Sequence, residues 1–219
     1  PPRSTLFPYT TLFRSLNALK LGVSRLTDLL DEFGAATVST AFAELTARAA
    51  SLMRSNIAAL PDGTHSIDDF LDNDGSVDEP IQVSLDLTIE GDRLVLDFTR
   101  TAGAAVGPVN ISKSTAIAAC YVALKHIFRD VPANAGCLEP VEVRIADGSL
   151  LDASWPRPVA GYTETILRIM DLIFGALAEV DPAISNGSSY GTINALSIAG
   201  HQPNRSEEHT SELQSRETI

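Results

Sequence analysis

Side-chain amides in loops are the residues of this chain best suited to holding a polar ligand. Asn110, Asn134 and Asn194 each lie close to glycine or proline, between apolar stretches. An amide offers both donors and an acceptor, and a neighbouring glycine lets the backbone approach a ligand closely. Binding residues are often on loops that a rigid scaffold positions. We therefore predict that these three asparagines bind a small polar substrate.

Two residues are candidates for a direct catalytic role. Cys137 has a thiol that could act as a nucleophile, but no histidine lies near it in sequence to activate it, so packing or turn geometry is the alternative. Glu164 lies where a helix is predicted to begin. Free N–H groups at a helix start favour an anion, and the Glu164 carboxylate could equally cap the helix.

The candidate residues fall in four breaks at the ends of apolar elements. These breaks also supply three further candidate substrate-binding residues, namely Gly136, Thr165 and Thr192. If the breaks serve one site, the fold should bring at least three of the four into one concavity of ligand size. Independent turns and caps, scattered over the surface, are the alternative.

Several catalytic signatures are missing from the sequence. It contains no Gly-x-x-x-x-Gly-Lys-Ser/Thr phosphate loop and no pair of histidines at zinc-binding spacing. The Gly-x-Ser-x-Gly match at residues 187–191 has no acid before the next histidine, as a hydrolase triad would require. The acidic stretch 72–75 does not fit the register of an EF-hand loop, and we interpret it as a solvated turn. The sequence predicts no metal ligand.

The two ends of the chain differ from the remainder. Residues 5–15 and 205–215 each look like a translated sequencing adapter, and such segments are left out of fold reasoning as tags are. We expect residues 1–15 and 205–219 to be adapter-derived and residues 16–204 to be native, cut from a longer reading frame. The ends hold four basic and four acidic residues, so they do not alter the net charge of −12.

The acidic balance restricts the partners. A net charge of −12 without a basic cluster argues against nucleic acid and against an anionic membrane surface. No apolar run approaches the roughly 20 residues of a membrane span. Two cysteines do not form a disulfide framework, and we expect a cytoplasmic protein.

Hydrophobic periodicity predicts the elements that position these residues. Helical spacing of apolar residues predicts helices at 16–33, 38–60, 113–128 and 161–180. Alternation of apolar and polar residues predicts strands at 66–71, 83–89, 94–98 and 141–145. The fold class is α+β, with helices packed on a largely antiparallel sheet. On the second helix, we expect the apolar residues from Phe42 and Leu45 to Ile57 to face the core.

These elements divide residues 16–204 into three regions. Residues 16–60 are predicted to form a helical hairpin and residues 65–100 a β-hairpin region. Residues 108–200 are predicted to form a mixed α/β core. The candidate residues named above all lie in this last region.

Six sequence blocks, each weak alone, are specific in combination. They are Asp-Asp-Phe-Leu-Asp at 68–72, Leu-Asp-Phe-Thr at 96–99, Gly-Pro-Val-Asn at 107–110, Pro-Ala-Asn-Ala-Gly-Cys at 132–137, Pro-Val-Ala-Gly at 158–161 with Glu-Thr at 164–165, and Gly-Thr-Ile-Asn at 191–194. By these blocks, the chain resembles the hydantoinase B/oxoprolinase family over essentially all of residues 16–200.

The resemblance implies an activity and its partners. It implies a subunit of an ATP-dependent enzyme that opens small cyclic amides of the 5-oxoproline or hydantoin type. A hydantoinase A-type subunit or domain would handle ATP, and a divalent metal of the full-length protein would have its ligands outside this segment. Part of an acetone carboxylase-like large subunit is one alternative, and an assembly half without activity of its own is another.

The adapter interpretation yields a stability prediction. Removing residues 1–15 and 205–219 should change the free energy of unfolding by less than about 0.5 kcal/mol, the usual size of a surface effect. Urea unfolding of the 219-residue chain and of residues 16–204 measures the difference. A loss of several kcal/mol would contradict the interpretation.

Overall fold

In the part of the chain that the structure describes, the sheet that organises the molecule has four strands in the order β1-β2-β3-β4. The structure, a computed structural model, describes residues 6–184, 187, 198–202 and 205–209, with side chains at 13–184 and 187. The strands are β1 (Gly63–Leu71), β2 (Ile81–Glu90), β3 (Arg93–Asp97) and β4 (Val141–Arg144). The first three are antiparallel neighbours, and β4 pairs with β3 in parallel. The predicted largely antiparallel sheet is confirmed.

Within residues 6–184, four α-helices accompany the sheet: α1 (Leu6–Phe33), α2 (Ala35–Ala58), α3 (Lys113–Ile127) and α4 (Tyr162–Val180). Gly34 separates α1 from α2 at φ 79°, a conformation that glycine adopts without strain. Ser112 caps α3 by accepting a hydrogen bond from the Thr115 N–H at 3.3 Å. Short 3-10 turns follow at Ala135–Leu138 and Pro182–Ile184, and a separate two-stranded ribbon pairs β5 (Ile198–Gln202) with β6 (Arg205–His209).

One face of the sheet forms the core. Leu87 lies opposite Leu96 and Ile89 opposite Leu94, and all four side chains are buried. Helix α4 packs across β1 and β2, α2 contacts β3, and α3 packs on α4. The alternation of apolar and polar residues along β2 therefore reflects a sheet with a single covered face.

Charged residues pair on the other face of the sheet, and a further ion pair on the covered face links β1 to α4. The Arg100 guanidinium donates to both carboxylate oxygens of Asp86, at 2.8 and 2.9 Å, and to Asp68 at 2.9 Å. The hydrogen bonds from Arg100 lower the pKa of Asp86. Arg168 on α4 donates to Asp69 on β1 at 2.6 Å, so neighbouring carboxylates of β1 face opposite sides of the sheet.

The expectation for the start of α2 is wrong. Phe42 and Leu45 are each 53% exposed, whereas Ala49, Met53 and Ile57 further along the helix are buried as predicted. Helical periodicity identifies the apolar face of a helix, but it does not reveal where along its length that face meets a neighbour. The apolar stripe of α1 is likewise exposed along most of its length.

The Ala135–Leu138 turn is held against α2 by close backbone contact. A Cβ on Gly136 would lie 2.0 Å from the carbonyl oxygen of Thr46. Asn134 accepts a hydrogen bond from the Gly136 N–H at 2.9 Å and donates to the carbonyl of Leu45 at 3.1 Å. The turn and the helix therefore approach to a distance that only glycine permits.

Replacing Gly136 tests this contact. Gly136→Ala should destabilise the protein by about 1–3 kcal/mol, because backbone must move to relieve the overlap. Gly103→Ala is the matched control, since no atom lies within 4 Å of a Cβ at Gly103 and its φ is not positive. Urea unfolding compares the two variants. Equal stability of both variants would show that the turn does not depend on this contact.

Candidate functional site

Two loops meet beside the start of α4, and we call residues 102–111 and 148–161 together the loop junction. Five backbone hydrogen bonds connect the loops along their length, and three of them involve Ile111 or Gly161. The Ile111 N–H donates to Leu150 and the Ala153 N–H to Ile111, at 3.0 and 2.9 Å, and the Gly161 N–H donates to Pro108 at 2.9 Å. The junction contains two of the blocks that carry the family resemblance.

Asn110 lies at the centre of the loop junction and is fully buried. Its side-chain oxygen accepts a hydrogen bond from the Ala105 N–H at 2.8 Å. Its amide nitrogen lies within hydrogen-bond distance of the carbonyls of Gly107, Pro158 and Ala105, at 2.9, 3.0 and 3.1 Å. The amide therefore satisfies buried backbone groups of both loops, and it has no exposed atom for a ligand.

Asp74 joins the loop junction from the other side. Its carboxylate accepts hydrogen bonds from the N–H groups of Gly107, Val77 and Ser76, at 2.7, 2.7 and 2.8 Å. These bonds, that from Gly107 foremost, lower the pKa of Asp74. Asp74 is 4% exposed, so the interpretation of residues 72–75 as a solvated turn is wrong for this residue. Nothing in the local sequence indicates a partner 33 residues away.

Close approach accompanies the hydrogen bond between Asp74 and Gly107. A Cβ on Gly107 would lie 1.9 Å from the carbonyl oxygen of Asp74. Gly107 therefore allows two backbone segments to pack closely, and its N–H donates to the Asp74 carboxylate and not to a ligand.

Helix α4 begins at the loop junction. The buried hydroxyl of Thr165 donates to the carbonyl of Val109 at 2.5 Å, which fixes the first turn of the helix to the loop that holds Asn110. Glu164 is half-buried in the same turn. The structure therefore brings together two of the four predicted breaks, those around Asn110 and Thr165.

The break around Asn134 has different partners. Asn134 and Gly136 contact α2, as described above, and the buried Cys137 thiol donates to the carbonyl of Pro132 at 2.6 Å. Burial and a hydrogen bond with Cys137 raise the pKa of Tyr121 on α3. A nucleophilic role of Cys137 stays a prediction, and its contacts are those of a packed thiol. Thr192 and Asn194 lie outside the described residues.

A small open cavity adjoins the loop junction. It encloses about 220 Å³ and is lined by residues 102–106 together with Asp74, Val77, Glu79, Pro80 and Ile81. Ligand sites commonly enclose about 300–1,000 Å³, so this cavity alone would hold only a very small molecule. Among the described residues, no group of three or more His, Cys, Asp and Glu side chains could hold a metal ion.

The contacts of the two asparagines predict different stability effects. Asn110→Ala should destabilise the protein by about 3 kcal/mol, because it leaves several buried backbone groups without a partner. Asn134→Ala, which removes a capping interaction at a partly exposed turn, should cost about 1 kcal/mol. Urea unfolding of both variants measures these costs. An Asn110→Ala variant as stable as the original chain would contradict the structural role of that amide.

Comparison with known proteins gives matches over most of the chain. A protein of Pseudomonas sp. (strain NS671), whose name describes it as the B-type subunit of a D-/L-hydantoinase, is 26% identical over 196 residues, which are 84% of this chain and 33% of that protein. The 5-oxoprolinase 1 of Arabidopsis thaliana is 28% identical over 173 residues, 71% of this chain and 13% of the plant protein. The chain therefore spans about a third or less of the length of these relatives.

Two solved structures share the fold. The ATP-dependent caprolactamase from Pseudomonas jessenii superimposes with a TM-score of 0.79 at 26% identity, over 91% of this chain and 35% of that chain. A nucleotide-free acetone carboxylase gives a TM-score of 0.71 at 15% identity, over 80% of this chain and 26% of that chain. The latter likeness concerns the fold alone.

The family profile gives the most extensive match. The hydantoinase B/oxoprolinase profile covers residues 13–219. This range includes residues 205–219, whose adapter origin stays a prediction. With the six sequence blocks, the relatives and the shared fold in agreement, the chain belongs to the hydantoinase B/oxoprolinase family.

Proposed function

We propose that this chain is part of the hydantoinase B-type subunit of an ATP-dependent enzyme that opens cyclic amides of the 5-oxoproline or hydantoin type. The observation that carries the proposal is the family match over residues 13–219. Relatives named for hydantoinase and 5-oxoprolinase activity support it, with 26% and 28% identity.

The comparisons favour an amidase over a carboxylase. The structural neighbour named as a caprolactamase is 26% identical to this chain, whereas the acetone carboxylase is 15% identical. The caprolactamase, by its name, acts on a cyclic amide with the help of ATP, which is the reaction class proposed here. A carboxylase-like subunit is the second candidate, and the shared fold supports it.

The chemistry explains why such an enzyme would use ATP. Resonance gives an amide C–N bond partial double-bond character and makes its carbonyl carbon a weak electrophile. Transfer of a phosphoryl group from ATP to the amide oxygen would release ADP and turn that oxygen into part of a good leaving group, so that water could add to the carbon. Loss of inorganic phosphate and cleavage of the ring C–N bond, with a proton taken up by the nitrogen, would then give the ring-opened carboxylate. The sequence contains no phosphate loop. We assign ATP to a hydantoinase A-type partner, and the name of the Pseudomonas relative supports a partner because a B-type subunit implies another subunit.

Within this reaction, we assign the loop junction a supporting role. The side chains of Asn110 and Thr165 are buried and bonded to backbone carbonyls, so they would position the loops instead of contacting substrate. Glu164, in the half-buried first turn of α4, the stretch with Thr192 and Asn194, and Cys137 are the remaining candidates for direct contact. A substrate would then contact the surface of the loop junction, and the buried amide of Asn110 would hold that surface in a fixed shape.

An activity assay tests the proposal. The 219-residue chain alone should open neither 5-oxoproline nor hydantoin with ATP. The full-length subunit from the parent reading frame, combined with its hydantoinase A-type partner, should form ADP and the ring-opened product in equal amounts. Chromatography of both products gives this ratio. ATP consumption that depends on acetone and bicarbonate, with no ring opening, would support the carboxylase alternative instead.

A further inference from the structure

Helix α1 presents an apolar stripe to solvent. Leu16, Leu19, Val23, Leu26, Leu30 and Phe33 follow one another at alternating spacings of three and four residues. Such spacing places all six side chains along one side of a helix. Leu19 and Val23 are each 66% exposed and Leu26 is 42% exposed, so the stripe is uncovered along most of its length.

The polar residues of α1 lie on the opposite side. At about 100° per residue, Leu29 and the six stripe residues together span about 140° of the circumference. The charged residues of this part of the helix occupy the remaining arc, and they are Lys20, Arg25, Asp28, Asp31 and Glu32. The helix is therefore patterned for burial on one side and for solvent on the other.

The start of α2 also carries exposed apolar residues. Phe42 and Leu45 are each 53% exposed. An open groove of about 540 Å³ lies along this part of α2, lined by Phe42, Ala43, Thr46, Ala47, Ala50, Ser51, Arg54 and Glu139. We call the α1 stripe, Phe42 and Leu45 together the α1–α2 face. Extended exposed apolar surfaces such as the α1 stripe mark interaction sites.

We propose that the α1–α2 face packs against the part of the same full-length subunit that lies outside this segment. The fold described here matches 91% of this chain but only 35% of the caprolactamase chain, with a TM-score of 0.79. The equivalent unit of that relative is thus embedded in a polypeptide almost three times as long. The inference rests on the proposed function only in taking this chain as part of a longer subunit of that type.

The pattern of the stripe favours this occupant over the alternatives. A coiled-coil seam between two copies of α1 would need apolar residues only at the a and d positions of a heptad. Leu29 lies beside those positions and gives the stripe the greater width that is typical of a helix facing a protein core. None of the helices within residues 6–184 has the length and hydropathy that crossing a membrane requires. Exposed leucine and phenylalanine side chains also favour a permanent interface over a transient one, because large apolar patches promote aggregation when they are exposed to solvent.

Thiol labelling tests the inference. Leu26→Cys and Leu19→Cys place reporters on the stripe, and Asp28→Cys places a control on the polar side of the same helix. Cys120 and Cys137 are buried, and burial raises the pKa of the Cys120 thiol to about 12, so both react slowly in folded protein. Reaction rates with a maleimide are measured for each variant in the 219-residue chain and in the full-length subunit, with folding confirmed by circular dichroism.

The expected result is a contrast between the two forms of the protein. Both stripe reporters should react rapidly in the 219-residue chain and about 100-fold more slowly in the full-length subunit, while Asp28→Cys should react rapidly in both. Rapid labelling of the stripe in the full-length subunit would overturn the inference. Protection that arises only on adding the hydantoinase A-type partner, or only at high concentration of the 219-residue chain, would overturn it in favour of a partner subunit or a second copy.

The same preparation separates this inference from the proposed function. Ring opening by the full-length complex is assayed in parallel with labelling. Protected stripe reporters without ring opening would contradict the proposed activity and leave the inference intact. Ring opening with rapidly labelled reporters would support the activity and overturn the inference.

Discussion

The buried side-chain amide of Asn110 is the interaction on which the loop junction depends. Two loops without regular structure run together there, and their backbone polar groups need partners because water does not reach them. The amide supplies partners to Ala105, Gly107 and Pro158 at once. A hydrocarbon side chain of the same size would leave those groups unsatisfied. Through the adjacent bond from Thr165 to Val109, the same loop fixes the start of α4 and thereby its path across β1 and β2.

Close backbone contact is the second constraint, and it recurs at two places. Gly107 lies against the carbonyl of Asp74, and Gly136 lies against the carbonyl of Thr46. In each case a neighbouring side chain, Asp74 or Asn134, accepts a hydrogen bond from the glycine N–H. Most of the residues by which the family can be recognised in the described part of this chain thus serve its architecture. Recognition of the family is therefore secure even though these residues do not reveal the chemistry of the reaction.

The sequence contains enough information for the elements and much less for their contacts. Periodicity predicts the four strands and the extent of α3 and α4, because one covered face imposes a regular pattern. It cannot distinguish a loop amide that binds substrate from one that binds backbone, so the sequence predicts a ligand-facing Asn110 where the structure has a buried one. The pairing of Asp74 with Gly107 cannot be predicted either, because it joins loops 33 residues apart without any periodic signal.

In the described residues, the polar groups of the loop junction have hydrogen-bond partners, whereas many apolar side chains of α1 are exposed. Around Asn110 and Asp74, polar groups find partners within the segment itself. Along α1, large apolar side chains have no such cover. Because the sheet core is covered by α2 and α4, it does not need the stripe of α1 for its own stability. Helix α1 is therefore free to carry residues selected for a different neighbour, and its pattern reflects that neighbour more than the core described here.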